Sequence, residues 1–515
     1  MSTLPKKTLC IAFVVSLGGF LFGFDASVIS GVVKFIKPEF QLNDIQLGWV
    51  VSSPSFAAMF AMLVAGTLSD LVGRRRLLKI VAFLYAVSAG VSAIAGSYEM
   101  LVLARMIGGA AFGAALVLAP VYIAEIAPAK NRGKLVAVQQ LNIVIGFSVA
   151  YFSNYYLLKI MAIDTLITPD NAWRWMLGIE LLPAVLYMVL LFLIPKSPRW
   201  LYLKQRPKEA YAIIEKLYGK ATADEELTAM EKSLESAEEK KESNAVSILF
   251  SKALRYVLVV GLVLGILQQI TGVNAIYFYA TTIFEQSGVG TDASFAQAVW
   301  VGIINVLFTL LAMYFIDKMG RRPLLLIGIA GITISMIVTA YGFNQATYML
   351  KSDAVTNIEG LDKSKVESVI DVTYTNDVDF KNALKQALGE QEYARLEGDI
   401  IAAAITMNPI LILIGILGFV ASFAFSIGPV MWVMLPELFP NNVRGLAISV
   451  IGFINALVSW AVQFIFPWEL SNLGNALTYL MYGVLGIIGF FILIKILPET
   501  KGKSLEQLES ELVKK

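Results

Sequence analysis

The chain of 515 residues contains no histidine and a single cysteine, Cys10. Without histidine there is no imidazole to act as a base, relay a proton near neutral pH or ligate a metal. A lone cysteine excludes an internal disulfide and a cysteine metal cluster. Charge is also scarce. Asp, Glu, Lys and Arg make up 16% of residues and nearly cancel, leaving +2. A nucleic-acid surface needs a marked basic excess, so the chain as a whole does not read as a binder of DNA or RNA. No nucleophile–base constellation or phosphate-binding glycine loop appears, so the sequence does not read as an enzyme and calls for no cofactor and no metal.

What is present is apolar length. The mean hydropathy is +0.70, and apolar residues come in runs of about twenty, enough to cross a bilayer core as helices. Six spans are expected at 8–31, 46–69, 77–96, 100–127, 134–158 and 173–195. Six more are expected at 253–285, 294–316, 323–345, 401–436, 444–468 and 472–496. The first run is too long for the core of a signal peptide and has no small-residue cleavage pattern after it, so it is read as the first span. Residues 196–252 are charged and helix-forming, as in EELTAMEKSLESAEEKKE, and read as a soluble helical linker. The expected division is 1–195, a six-helix bundle; 196–252, the linker; and 253–515, a second six-helix bundle.

The halves share motifs in one order. GTLSDLVGRRR (66–76) is echoed by FIDKMGRR (315–322), PVYIAEIAPAKNRG (120–133) by PVMWVMLPELFPNNVRG (429–445), and PKSPR (195–199) by PETKG (498–502). Such duplication is the mark of a transporter built from two related halves. Asp70 and Asp317 are 247 residues apart but Glu125 and Glu437 are 312 apart, a jump of 65 that locates extra sequence in the second half. Residues 346–399, polar and without a spanning run, fit it: either a small, partly helical cap or a disordered loop.

Basic residues follow spans two (Arg74, Arg75, Arg76, Lys79), four (Lys130, Arg132, Lys134) and eight (Lys318, Arg321, Arg322). The positive-inside rule puts these loops and both termini in the cytoplasm, the insertion outside and the chain in the cell (inner) membrane. Asp70, Glu125, Asp317 and Glu437 recur beside Arg74, Arg75, Arg132, Arg321, Arg322 and Arg444. Ion pairs among them would form a cytoplasmic gate that closes in one state and breaks in the other; the plainer reading is orientation alone.

Three ionisable residues fall within spans: Asp25, Arg105 and Glu180. Charge at membrane depth costs at least about 2.5 kcal/mol and faces a cavity or a partner. An Asp25–Arg105 pair that separates would let the carboxylate take a proton, a coupling device without histidine; one that stays together is structural. Gln140, Gln268, Gln269, Asn274, Asn305 and Asn455 interrupt apolar spans. Singly, such amides join helices; as a group over both halves they suit a cavity for a hydroxyl-rich substrate. Phe22, Tyr279 and Trp432 offer faces for a sugar ring. Gly272 and Gly428–Pro429 mark where spans seven and ten break.

GGFLFGFD, GRRR, AEIAPAKNRGK, PKSPRW, QQITGVNAIYFYA, PELFPNNVRG and PETKGKSLEQLE together resemble the sugar porter family of the major facilitator superfamily. The resemblance covers nearly the whole chain except 346–399 and favours bacterial sugar–proton symporters, such as those for xylose, over the mammalian glucose facilitators. It implies an all-α major facilitator fold, a sugar site at Gln140, Gln268, Gln269, Asn274, Asn305, Trp432 and Asn455, and proton coupling through Asp25, Arg105 and Glu180. Departures occur at Ala456, Phe278 and Phe147, where xylose symporters have Trp, Tyr and Gln, so the particular sugar does not carry over. The expected function is import of a monosaccharide or polyol with protons by a monomer in the bilayer. A proton-independent facilitator and a transporter-like sugar sensor are the alternatives.

Overall fold

A computed structural model describes residues 6–127, 132–163, 165–239, 245–356, 358, 360–440, 443–503, 507–508 and 511. Among these residues, twelve helices are long and apolar enough to cross a membrane. Spans one to six run over Lys6–Glu39, Asp44–Val72, Arg74–Ala93, Tyr98–Ile126, Leu135–Met161 and Ala172–Leu190. Spans seven to twelve run over Arg255–Phe278, Gly290–Met319, Arg321–Asn344, Pro409–Leu438, Arg444–Asn472 and Gly474–Ile496. With an even number of crossings, both ends of the bundle lie on one side, here called the termini side. Exposed Phe60, Leu103, Leu182 and Phe491 clothe the outward faces with apolar atoms, which only a hydrocarbon surrounding favours over this area.

Local sequence sets the helix ends. Asn43 accepts the Gln46 N–H at 2.9 Å while the Gln46 side chain accepts the Asn43 N–H at 3.1 Å, a reciprocal cap on span two. Ser97 caps span four, and Asn408 with Pro409 opens span ten. The repeated Gly-Arg-Arg has a backbone cause. Gly73 and Gly320 stand at φ +96° and +95° between spans two and three and spans eight and nine. That reversal suits glycine alone and joins antiparallel helices without a loop.

Within the first half, span one packs along span five and span two along span four; within the second, span nine lies between ten and twelve. A Cβ at Gly23 would fall 2.0 Å from the Ile143 carbonyl oxygen, so spans one and five touch backbone to backbone there. The halves meet where span two lies along eleven and span five along eight.

The expected spans survive with shifted ends, and breaks appear inside three of them. Span seven divides at Gly272 (φ +92°). Span ten divides at Ser426 (φ −130°, ψ −101°), two residues before the expected Gly428. Pro429 cannot accommodate a carbonyl one turn earlier, so the helix stops before it reaches the ring. Span six is interrupted between Gly178 and Leu181, with Glu180 in the gap. Span ten begins at Pro409, not 401, because Glu390–Ala404 is a separate helix.

The residues between spans nine and ten form a small folded cap. Strands β1 (Thr347–Met349), β2 (Thr373–Tyr374) and β3 (Ile405–Thr406) make an antiparallel sheet in the order β2-β1-β3. Helices Asp377–Leu388 and Glu390–Ala404 close a core around Tyr348, Phe380, Leu384 and Tyr393. Among the described residues, this sheet is the one departure from an all-α reading. Short helices Pro198–Leu203, Pro207–Tyr218, Lys220–Glu239 and Ala245–Leu249 occupy the linker.

Candidate functional site

Span one carries Asp25 and span four Arg105 to the same depth. Arg105 Nη1 donates to Asp25 Oδ1 at 2.6 Å, with side-chain exposures of 1% and 6%. Arg105 Nε and Nη2 are buried with no partner among the described residues. Glu180, also buried, lies close enough to feel both charges. Three ionisable groups from spans one, four and six thus converge in the first half, one of them a guanidinium with donors to spare.

The amides converge in the second half. Gln268 Nε2 donates to the Ile427 and Gly428 carbonyls at 3.2 and 3.1 Å, just past the break in span ten. Asn455 Nδ2 donates to Gln268 Oε1 and to the Gly265 carbonyl, both at 2.8 Å. Gln269 Nε2 donates to Gln268 Oε1 and Asn455 Oδ1 at 3.2 Å each. Asn274, just past the break in span seven, donates to Gln269 Oε1 at 2.8 Å and Ser459 Oγ at 2.5 Å. Trp432 stands one turn beyond Gly428, 44% exposed, its ring edge facing Gly452. Gln140 and the buried Asn305 make no side-chain hydrogen bond to described residues, so their amides are uncommitted. Phe22 packs on Phe112 and Phe147, centroids 4.8 and 6.2 Å away.

Tyr279 is different. It is 1% exposed, gives its hydroxyl to the Gln463 carbonyl at 3.1 Å and packs on Phe466. In this arrangement it offers no face to a ligand, because the break at Gly272 turns it toward span eleven. Trp460 likewise joins Trp49, Phe56 and Phe464 in an aromatic seam between the halves. Ser459 and Gln463 escaped the sequence reading. With Asn455 they form a stripe at spacing four along span eleven, a helical-period signal that was available. Gln463 accepts from Ser55 at 2.9 Å and ties span eleven to span two.

On the termini side the duplicated motifs build duplicated contacts. Arg74 pairs with Asp70 at 2.6 Å and Glu125 at 2.9 Å; Arg321 pairs with Asp317 at 3.1 Å and Glu437 at 2.9 Å. The second oxygen of Glu125 accepts from Ser197 at 2.5 Å, and that of Glu437 from Thr500 at 2.6 Å. All these pairs lie within a half. Among the described residues Arg75 and Arg322 meet no carboxylate through their side chains: they donate to carbonyls at the ends of spans six and twelve, Phe192 at 2.6 Å and Ile494 at 2.9 Å. Arg444 donates to the Phe439 carbonyl at 3.1 Å. Lys130 and the side chains of Arg132 and Lys134 lie outside the described residues.

Polar contacts between the halves gather on the opposite side. They include Lys34–Glu285 at 2.7 Å, Lys37–Glu397 at 3.0 Å, Lys159–Asp292 at 2.5 Å and Tyr151 to the Tyr277 carbonyl at 2.5 Å. The molecule is closed there, and its charged termini-side clusters hold each half to itself.

Two six-helix halves around a polar centre, with paired turns at matched positions, define a transporter of the major facilitator type. The family model described as "Sugar (and other) transporter" matches residues 11–360 and 396–512, and the chain belongs to that family. It is 32% identical over 506 residues to the arabinose-proton symporter of Bacillus subtilis (strain 168), covering 98% of this chain and 95% of that protein. It is also 32% identical to the glucose transporter GlcP of Staphylococcus epidermidis, covering 98% of each. An inward-open structure of the xylose transporter XylE from E. coli matches with a TM-score of 0.74 at 30% identity, over 98% of this chain and all of that one. The chain is a multi-pass membrane protein of a transporter family, not an enzyme.

Proposed function

We propose that this protein imports a monosaccharide or polyol across the cytoplasmic membrane, coupled to protons, by alternating access. The observation that carries the coupling is the buried Asp25–Arg105 pair with its two unpartnered guanidinium donors. A charge pair so dry is poised. If Arg105 turns to another acceptor, Asp25 is left alone at membrane depth, where a proton is the cheapest remedy. Glu180, in the break of span six, is the acceptor at hand. The arabinose-proton symporter among the relatives supports the same reading.

The sugar is held mainly by the second half: Gln268, Gln269, Asn274 and Asn455 with Asn305 and Trp432, met by Gln140 and Phe22 from the first. Tyr279 joins only if span seven rotates. The termini side is cytoplasmic, because it carries the basic turns after spans two and eight. Asp70, Glu125, Arg132, Asp317, Glu437 and Arg444, with Arg74, Arg75, Arg321 and Arg322, belong to the gate on that side, working as two clusters that brace each half. The transporter acts as a monomer in the bilayer.

The test is sugar-driven proton movement in proteoliposomes. With symport, adding the transported sugar outside alkalinises the outer medium, and Asp25→Asn abolishes uphill accumulation while sparing exchange. Sugar entry with no pH change would make the protein a facilitator and Asp25–Arg105 a structural pair.

A further inference from the structure

The two halves share one turn, but only one of them is filled from inside. At the start of span nine the Glu499 carboxylate accepts the backbone N–H groups of Arg321 and Arg322 at 3.1 Å each. A carboxylate therefore sits where unpaired N–H groups and the helix dipole favour an anion. In the first half the matching residue is Lys196, since Pro195-Lys196-Ser197 stands where Pro498-Glu499-Thr500 stands. The correspondence is structural too, because Ser197 and Thr500 each bind the equivalent glutamate. Gly73, at the head of span three, carries no side-chain cap.

A cavity of about 550 Å³ opens over that uncapped turn, lined by Arg75, Arg76, Lys79, Lys196, Lys204 and Arg206 and by no carboxylate. Arg206 pairs with Glu209, which also reaches Lys196 at 3.7 Å. Arg76 and Lys204, both exposed, meet no carboxylate among the described residues. Trp200 floors the cavity against Gly73. Arg75 donates to the Phe192 carbonyl and Lys79 lies over the Phe192 ring, so Arg76 and Lys204 are the cations left for an incoming anion. A phosphate group carries up to two charges and three acceptor oxygens, which suits cations converging from span three and from the linker.

We propose that this cavity binds a phosphate-bearing anion, taking from outside what Glu499 supplies from within the second half, and so fastens the linker helix Pro198–Leu203 to span three. The phosphate comes either from a soluble phosphoester or from a lipid headgroup, and the test separates them. Pyrophosphate is titrated calorimetrically into the full-length protein in detergent, beside the double variant Arg76→Gln/Lys204→Gln and the single variant Lys196→Glu. The same three proteins are placed in phosphatidylcholine nanodiscs containing some phosphatidylglycerol, and the lipid retained is weighed by native mass spectrometry. Lys196→Glu copies the second half's own arrangement, so it blocks the site while keeping or raising the melting temperature.

One saturable pyrophosphate site, weakened about tenfold or more in both variants, supports the proposal with a soluble ligand. Retention of phosphatidylglycerol that both variants lose, without pyrophosphate binding, supports it with a headgroup. No saturable binding of either probe, or binding that the variants leave unchanged, overturns it.

Discussion

At the scale of single residues, the polar atoms of the two halves are spent differently. In the second half the amides of Gln268, Gln269, Asn274 and Asn455 are engaged with one another or with carbonyls, while Asn305 stays uncommitted, so a substrate must exchange partners with a lattice already largely satisfied. Net gain per neutral hydrogen bond is then about 1 kcal/mol, and affinity rests on several of them. Asn455 is the node, holding Gln268, Gln269 and the Gly265 carbonyl. Asn455→Ala should weaken sugar affinity by about tenfold or more, since one or two such bonds are lost, and lower the melting temperature, since the Gly265 carbonyl and Gln268 lose a buried donor. Measured by scintillation proximity with the transported sugar, unaltered affinity would remove Asn455 from the site. The first half is the opposite case: Arg105 keeps idle donors in a dry place. An idle buried donor is costly, and a coupling residue that must change partners gives that cost a purpose.

At the scale of elements, twelve spans were legible because apolar runs of that length have no other stable home. So was the break at Gly272; the Gly-Arg-Arg repeats were legible as charge clusters, not as the turns that Gly73 and Gly320 make. The contents of 346–399 were not. Its core pairs residues distant in sequence, such as Tyr348 with Phe380, and no local period announces that. Nor did the sequence reveal what the cap touches. Helix Glu390–Ala404 lies over the seam between the halves, with Glu397 held by Lys37 at 3.0 Å and Gln286 at 3.2 Å. Burial pushes the Glu397 carboxyl up, but the charges of Lys37 and Lys381 and the hydrogen bond from Lys37 outweigh it and hold it at about 2. A depressed carboxylate stabilises above its ordinary value near ~4.3 and loses that contribution as pH falls toward the folded value. Between about pH 5 and 8, well above the folded value, the latch stays charged. Hydrogen exchange in 390–404, corrected for intrinsic rates, should be flat across that window and faster in Glu397→Gln; a steep change near neutrality would show that another group governs the cap. Gly272 sets the second test at this scale. Its φ of +92° and a Cβ placed 3.0 Å from the Tyr482 ring make Gly272→Ala strained twice. Thermal unfolding should show a loss of about 1–3 kcal/mol, and an unchanged melting point would mean that span seven straightens without cost.

At the scale of the whole molecule, the distribution of contacts says which way it stands. Contacts across the halves lie away from the termini, while the charged clusters on the termini side close within each half. Reversing the molecule therefore means breaking the outer set first. Its ion pair Lys34–Glu285 is largely enclosed, at 26% and 12% exposure, as is Lys37–Glu397, and Gly398 of the cap lies 3.5 Å from Lys34 Nζ at the position of a Cβ. Lys159–Asp292 is 48% and 62% exposed, so solvent screens the pair and it holds little. Removing both partners of the enclosed pair, Lys34→Ala with Glu285→Ala, deletes its attraction without stranding a charge. A loss of about 1.4 kcal/mol shifts a two-state population about tenfold. Spin labels on the outer ends of spans one and seven, read by double electron–electron resonance, should then report a larger long-distance population without sugar. The Lys159→Ala/Asp292→Ala protein should differ little from wild type. If instead both double variants shift equally, or neither shifts, the outer closure is held by the apolar seam of Trp49, Trp460 and Phe464, and the ion pairs only decorate it.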